Sequence, residues 1–398
     1  MRRVLARYRV FLAEPDVRRL LVTAFVARMP IGMVSLAMLM HLRELTASFA
    51  FAGAAVGGYL VAMAAAAPVL GRLVDRAGLR RPLRVTGVVQ PIALALVLFA
   101  GPLALAQPAI AACAVMAGLF APPISSLTRT LWRHRFDRDD ERRIAFSVDS
   151  VLVELNFTLG PALIALLLTI GTPAIAFFAA WLFAAAAAPV FLRSPAPRYW
   201  KAALAGKRHL LGPLTEPRLL VVYATAAAFT FAFGLLEVGY PGFAAAMGSP
   251  ALGGVLIAIC SIGSAVGGFA YGGVRLQLPV ERQLPRITAL MALPVAAHAL
   301  VASPWLLAPL AFIAGLLMAP ALTAVILLVT HHAPARYAAE AYTWATACVV
   351  ASIGAGMAVG GALIQASGPV AAFALAAASV VIASLLGLLL KPAAIHVG

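Results

Sequence analysis

The chain has 398 residues, of which 63% are hydrophobic and only 11% are charged. Soluble domains carry roughly 25% charged residues, so this composition excludes an ordinary soluble protein and predicts one that lies in lipid. The formal net charge of +16 comes from lysines and arginines that cluster between apolar segments without interleaved aromatic residues, so no nucleic-acid partner is expected. Cys113, Cys260 and Cys348 lie far apart inside apolar segments, which predicts neither a disulfide framework nor a metal site.

Twelve apolar segments account for most of the chain, and each is near the roughly 20 residues that cross a bilayer as a helix. They cover residues 20–42, 51–70, 83–103, 108–131, 144–170, 173–192, 219–245, 251–273, 284–302, 305–330, 341–366 and 369–390. The first segment is longer than a signal-peptide core and lacks a small-residue cleavage pattern, so no cleavable signal is expected. The sequence therefore predicts an all-α integral membrane protein.

The basic residues predict the orientation of these helices. Of the 30 lysines and arginines, 28 lie in the N-terminus, in the C-terminus, or in the loops after even-numbered segments, with arginines at the segment ends, such as Arg129, counted with their loops. The exceptions are Arg28, inside the first segment, and Arg43, in the first loop. The positive-inside rule then predicts a multi-pass protein of the inner (plasma) membrane with both termini in the cytoplasm.

The two halves of the chain resemble copies of one another. Residues 117–119 and Pro123 match 314–316 and Pro320, and residues 160–164 largely match 360–364. The longest polar stretch lies between the halves. We therefore predict an N-terminal six-helix bundle over 1–192, a cytoplasmic linker over 193–218 and a C-terminal six-helix bundle over 219–398.

A short basic turn joins the second and third segments. Gly71 is followed four residues later by Asp75, then by a basic residue and a second glycine, and the full set is Gly71, Asp75, Arg76, Gly78, Arg80 and Arg81. Gly71 and Gly78 are expected to allow positive φ at two bends. Asp75 is expected to be ionised among the arginines and able to accept from a helix N-terminus.

This turn resembles the signature loop between helices 2 and 3 of the major facilitator superfamily, although Leu79 stands where the family usually has a basic residue. The resemblance implies two pseudo-repeated six-helix bundles with a small-molecule substrate held between them near the bilayer midplane. It also implies that Asp75 caps the eleventh helix. We expect a monomer in the lipid bilayer that needs no cofactor.

Ionisable groups inside lipid are costly and usually functional, and the apolar segments hold Arg28, Asp149, Glu154 and Glu237. The helical rise places Glu154 about 15 Å and Arg28 about 12 Å from the cytoplasmic ends of their segments. We therefore predict that these two pair and form a proton-coupling or substrate site. Asp149, nearer the cytoplasm, is predicted to reach the arginines of the basic turn. Asn156 lies two residues from Glu154 and thus on a different face.

Glu237 lies in the outer half of the seventh segment, followed by Gly239, Tyr240, Pro241 and Gly242. Proline and glycine there should loosen the helix. In the family that the chain resembles, this helix lines the cavity. Glu237 is therefore a candidate for contact with a proton or a cation, and the alternative is an acid at the outer interface.

Other polar and small residues are interpreted as structural. His298 is the histidine that lies clearly within an apolar segment, and we expect it to be a satisfied core residue. Spaced glycine pairs such as Gly263 with Gly267 and Gly356 with Gly360 predict close helix packing.

The best prediction for function is a secondary active transporter, which is not an enzyme. Aliphatic helices with few polar residues favour a lipophilic or amphipathic drug or metabolite, and proton-coupled efflux is expected. Gly160-Pro161 partly resembles the signature of the family's antiporters, without its further glycines. Import or facilitated passage of a small organic solute remains an alternative, and a scaffold or sensor that does not transport is another.

Overall fold

A computed structural model describes residue 11 and residues 13–136, 139–200, 212–273, 278–334 and 338–390. The regular secondary structure of these residues is helical. The α-helices are α1 (Pro15–Thr46), α2 (Phe49–Ala77), α3 (Arg80–Leu98), α4 (Gln107–Leu119), α5 (Ile124–Arg135), α6 (Asp139–Ile170), α7 (Pro173–Arg193), α8 (Ala196–Tyr199), α9 (Pro217–Ala246), α10 (Pro250–Gly273), α11 (Val280–His298), α12 (Pro304–His332), α13 (Ala338–Ser367) and α14 (Pro369–Gly387).

The helices have the length and surface of membrane spans. Within the described residues, eleven spans are long and apolar enough to cross a bilayer, with α4 and α5 together forming one of them. The remaining long helix, α11, is less apolar because Glu281, Arg282 and Arg286 lie near its start. Large apolar side chains such as Phe269 and Trp305 are 88% exposed, which is stable only against lipid. The predicted all-α membrane architecture of two six-helix halves is confirmed.

Two helices begin earlier than the apolar pattern predicted. The first starts at Pro15 rather than near Leu20, and α6 starts at Asp139 rather than near Ile144. Charged residues open both helices, so the hydropathy pattern misses the first turns even though helical hydrogen bonding continues through them. By the helical rise, Arg28 and Asp149 lie roughly 20 Å and 15 Å from the helix starts, which places them at comparable depths.

The predicted fourth span is wrong in one respect, since it is broken into α4 and α5. Neither Pro122 nor Pro123 lies within a helix, and α5 begins at Ile124. Proline lacks an amide hydrogen and disfavours helical geometry in the residue before it, so this pair ends the first helix and begins another.

The basic turn is shorter than the sequence suggested. Helix α2 continues through Gly71 to Ala77, and α3 begins at Arg80. Gly78 has the expected positive φ of 77°. The expectation of a second bend at Gly71 is wrong, because this glycine is helical.

Contacts between residues divide the chain into two compact units. The first comprises Met1–Met38 and Ala65–Gly206, and the second comprises Leu39–Ala64 and Lys207–Gly398. Each unit therefore includes parts of α1 and α2. The boundaries lie inside helices as well as in the region between the halves.

The first unit has a hydrophobic core at one end, built around an aromatic group. Trp132 is fully buried and stacks on Phe136, with ring centroids 6.2 Å apart. The other buried members of this core include Val17, Leu20, Leu83, Leu131 and Phe191. Burial of this much apolar surface fixes the helices that carry the polar residues described below.

Polar contacts join α1, α5 and α8 beside this core. The Arg135 guanidinium lies 2.7 Å from Glu14 and stacks over the Tyr199 ring at 4.9 Å. The Tyr199 hydroxyl donates to Asp16 over 2.8 Å, and this hydrogen bond raises the pKa of Tyr199. The contacts hold the start of α1 against the end of α5.

In the second unit, glycines bring helix backbones together as predicted. A Cβ at Gly263 or Gly267 would collide with carbonyl oxygens of α12, and one at Gly356 would collide with the Phe231 carbonyl oxygen of α9. Side chains at these positions would force α10 from α12 and α13 from α9. These glycines are therefore packing residues.

The beginning of α2 also packs against α13 within the second unit. A Cβ at Gly53 would lie 2.5 Å from the Met357 carbonyl oxygen, and one at Gly57 would collide with the Gly354 carbonyl oxygen. Beside these glycines, the Phe49 amide donates to Oε1 of Gln365 over 3.1 Å. We call this contact the α2–α13 seam.

Candidate functional site

A buried ion pair joins α1 to α6. The Arg28 Nη1 atom lies 2.9 Å from Oδ1 of Asp149, and the two side chains are 1% and 2% exposed. Two isolated charges at this burial would be prohibitively costly, whereas a pair neutralises both. The pair fixes where the two helices meet.

Trp132 supports the carboxylate of this pair. Its indole Nε1–H donates to Oδ1 of Asp149 over 3.3 Å. The indole is fully buried in the core of the first unit, so the donor is fixed in place. One carboxylate oxygen thus contacts the guanidinium and also accepts the hydrogen bond from the indole. Trp132 was not predicted as a functional residue. Its one indication in the sequence is its position beside the charged end of a predicted span.

The structure gives Arg28 a partner, Asp149, that the sequence did not predict for it. Asp149 was expected to reach the arginines of the basic turn, but the structure places it against Arg28. The helical continuation of α1 and α6 below their apolar parts brings these two residues to similar depths. The side chain of Glu154 lies outside the described residues, so its contact with Arg28 stays a prediction.

Asn156 lies on the same α1–α6 contact. It follows Asp149 by seven residues, or about two helical turns, so both positions share one face of α6. A Cβ at Gly32 would lie 2.5 Å from the Asn156 carbonyl oxygen, and a Cβ at Gly160 would lie 2.9 Å from the Gly32 carbonyl carbon. We call this contact, with Arg28 and Asp149, the α1–α6 seam.

The seam leaves polar atoms without hydrogen bonds. Although Nη1 of Arg28 approaches Asp149, none of the guanidinium nitrogens makes an aligned hydrogen bond to a described residue. Both amide atoms of Asn156 also lack a partner among these residues, and the side chain is 2% exposed. A guanidinium offers five donors, and an amide offers both donors and an acceptor. The seam therefore has unused capacity to bind a polar group.

Glu237 lies on α9, in the second unit. Its side chain is partly exposed, and α9 continues past Pro241 to Ala246. The proline therefore does not end the helix. One turn after Glu237, the buried Tyr240 hydroxyl lies 3.1 Å from Nε2 of His298.

His298 is satisfied as predicted. Its Nδ1 lies 2.6 Å from the Pro294 carbonyl oxygen and its side chain is fully buried. With Nδ1–H donating to that carbonyl, Nε2 accepts from Tyr240. The pair fastens α11 to α9.

The basic turn is described only in part. Arg80 and Arg81 are exposed at the start of α3, and Gly78 provides the break between helices. The side chains of Asp75 and Arg76 lie outside the described residues, so the capping role of Asp75 stays a prediction.

Comparison with known proteins gives the family. Residues 20–354 match the Major Facilitator Superfamily. A crystal structure of a mutant of the nucleoside transporter NupG is similar in fold, with a TM-score of 0.74 and 14% identity over 93% of this chain and 98% of that one. No curated protein matches the sequence. The match to the family covers most of the chain, including both residues of the buried ion pair and Glu237, and the chain therefore belongs to the Major Facilitator Superfamily of membrane transporters.

Proposed function

We propose that this transporter exports a lipophilic or amphipathic small molecule in exchange for protons. In this proposal it works as a monomer in the inner membrane, with both termini and the linker in the cytoplasm. The distribution of 28 of the 30 basic residues on one side of the predicted spans supports the orientation. The mostly aliphatic helices support the class of substrate.

The observation that carries the proposal is the buried ion pair between Arg28 and Asp149. A transport role explains why charged side chains are kept at a depth where they cost folding free energy. Because Asp149 already neutralises Arg28, the acid of Glu154 on the same helix is not needed as a counter-ion. An acid in a membrane-spanning segment that is not needed as a counter-ion is available to gain and lose a proton. Glu154 is therefore the first candidate for the exchanged proton, and Glu237 is the second.

Transport into inverted membrane vesicles tests the proposal. Vesicles that contain the chain are energised with a proton gradient and offered matched cationic and neutral lipophilic compounds. We expect at least one compound to accumulate only while the gradient is present and to draw protons out of the vesicle. The variant Thr128→Val is the control, because this buried hydroxyl donates to the Ile124 carbonyl of its own helix.

Import or facilitated passage of a small organic solute is the second candidate. The unpartnered amide of Asn156 favours it, since it suits a solute that forms hydrogen bonds, and the similar fold of NupG belongs to a protein named as a nucleoside transporter. In the vesicle experiment, equilibration without accumulation supports this candidate and contradicts proton-driven export.

A further inference from the structure

The α1–α6 seam holds two buried polar side chains with hydrogen-bonding capacity that is not used beyond the ion pair with Asp149. Arg28 is 1% exposed and Asn156 is 2% exposed. Even so, the guanidinium nitrogens of Arg28 and both side-chain amide atoms of Asn156 lack aligned hydrogen bonds to described residues. Such groups normally find partners, because an unsatisfied buried polar group is costly.

Three other polar side chains of the same unit have hydrogen-bond partners. The Thr86 hydroxyl donates to the Pro82 carbonyl over 3.0 Å, and that of Thr128 donates to the Ile124 carbonyl over 2.8 Å. The Trp181 indole donates to the Pro91 carbonyl over 2.8 Å. The unit therefore supplies partners elsewhere, and the unused groups at the seam point to a ligand that supplies them.

We propose that Arg28 and Asn156 form a polar subsite for the transported compound, and that this compound is a neutral amphipathic molecule with an amide-like group. The proposal rests on the transport function proposed above and names its substrate class. A carbonyl oxygen would accept from Arg28 or Asn156, and an N–H would donate to the Asn156 amide oxygen.

The charge of the seam selects a neutral ligand. Asp149 lies 2.9 Å from Arg28 and already balances its charge. A bound anion would leave one negative charge in excess in an apolar region, and a bound cation would be repelled by the positive charge of Arg28. An amide has the required donor and acceptor without a net charge.

The geometry also limits the size of the ligand and the conformation of the protein in which it binds. Residues 149 and 156 are separated by about 10.5 Å along α6, which is within the span of a small amphipathic molecule. Gly32 and Gly160 hold the seam closed in this conformation. The ligand therefore reaches the subsite in another conformation of the transport cycle.

Three probes with the same butylphenyl group test the subsite: 4-butylbenzamide, the 4-butylbenzoate anion and the 4-butylbenzyltrimethylammonium cation. Their dissociation constants are measured on the whole purified chain in lipid nanodiscs without a proton gradient. We expect the amide to bind best. Asn156→Leu should weaken amide binding about tenfold or more, as loss of hydrogen bonds implies, and Arg28→Lys should weaken it because it loses the planar fork.

Thermal unfolding without ligand separates binding from structure. Asn156→Leu removes an unsatisfied amide from an apolar site, so its unfolding temperature should equal or exceed that of the parent. Thr128→Val, the matched control, should leave the dissociation constant for the amide unchanged.

Three results would overturn the subsite. They are no amide binding by the parent, equal affinity for all three probes, and a destabilised Asn156→Leu that binds the amide as the parent does. Because the measurement uses no gradient, amide selectivity that depends on Asn156 stands even if proton-coupled export fails. Conversely, proton-driven transport without this dependence removes only the subsite.

Discussion

Removal of the Arg28 charge should destabilise the protein strongly. The change Arg28→Met keeps an unbranched apolar stem but leaves Asp149 buried beside a single described donor, the Trp132 indole. Breaking a buried pair by removing one partner costs about 3–5 kcal/mol. That is a large share of a typical stability of about 5–15 kcal/mol.

The double variant Arg28→Met with Asp149→Leu shows how much of this loss comes from leaving Asp149 without its partner. Replacing a whole buried pair by apolar residues is often neutral or stabilising by about 1–4 kcal/mol, so the double variant should recover the stability that the single variant loses. Arg43→Met is the control for loss of an arginine, because Arg43 is half-buried over the Phe49 ring and such a contact is worth about 0.5–1 kcal/mol at exposed sites.

The assay is the yield of monodisperse protein in detergent together with its unfolding temperature. An Arg28→Met variant as stable as the parent, or a double variant as unstable as the single one, would contradict this prediction.

Three further predictions address the packing, the orientation and the coupling. Gly57→Val should disfavour the closed α2–α13 seam by about 1–3 kcal/mol through overpacking, and it should lengthen the distance between spin labels on α2 and α13. Gly71→Ala should leave that distance unchanged, because a Cβ at Gly71 meets nothing within 4 Å. The same distance in both variants would contradict the prediction. Lys207→Cys, in the linker and outside the described residues, should be protected from an impermeant reagent added to intact cells, and labelling there would reverse the orientation. Asp75→Asn should shift the population toward the inward-open state, and unchanged distances between the halves would remove its capping role.

Hydropathy and charge predicted the helices because lipid constrains them so tightly. Every backbone amide in a bilayer needs an internal partner, so apolar stretches of sufficient length have essentially one available structure. The ends were harder to predict. Helix α6 begins at Asp139 in a charged stretch, where hydrogen bonding continues although hydropathy no longer marks it.

The candidate site was predicted only in part because its residues meet in three dimensions. Sequence depth suggested Glu154 as a partner of Arg28, and that contact stays a prediction. It did not indicate Asp149, because the contact with Asp149 depends on how α1 and α6 cross at Gly32 and Gly160. Residue spacing along the sequence does not determine how the two helices cross. The unpartnered amide of Asn156 was equally hidden, because a lack of hydrogen bonds is a property of the packed structure.

Proton release upon substrate binding tests the central claim most directly. The purified chain, in weakly buffered detergent solution with a pH indicator, is mixed with a compound that drives proton flux in vesicles. Competition between proton and substrate predicts that the parent acidifies the solution and that Glu154→Gln, which mimics the protonated acid, binds the compound without doing so. Binding by the parent with no proton release, or equal release from Glu154→Gln, would contradict exchange through this acid.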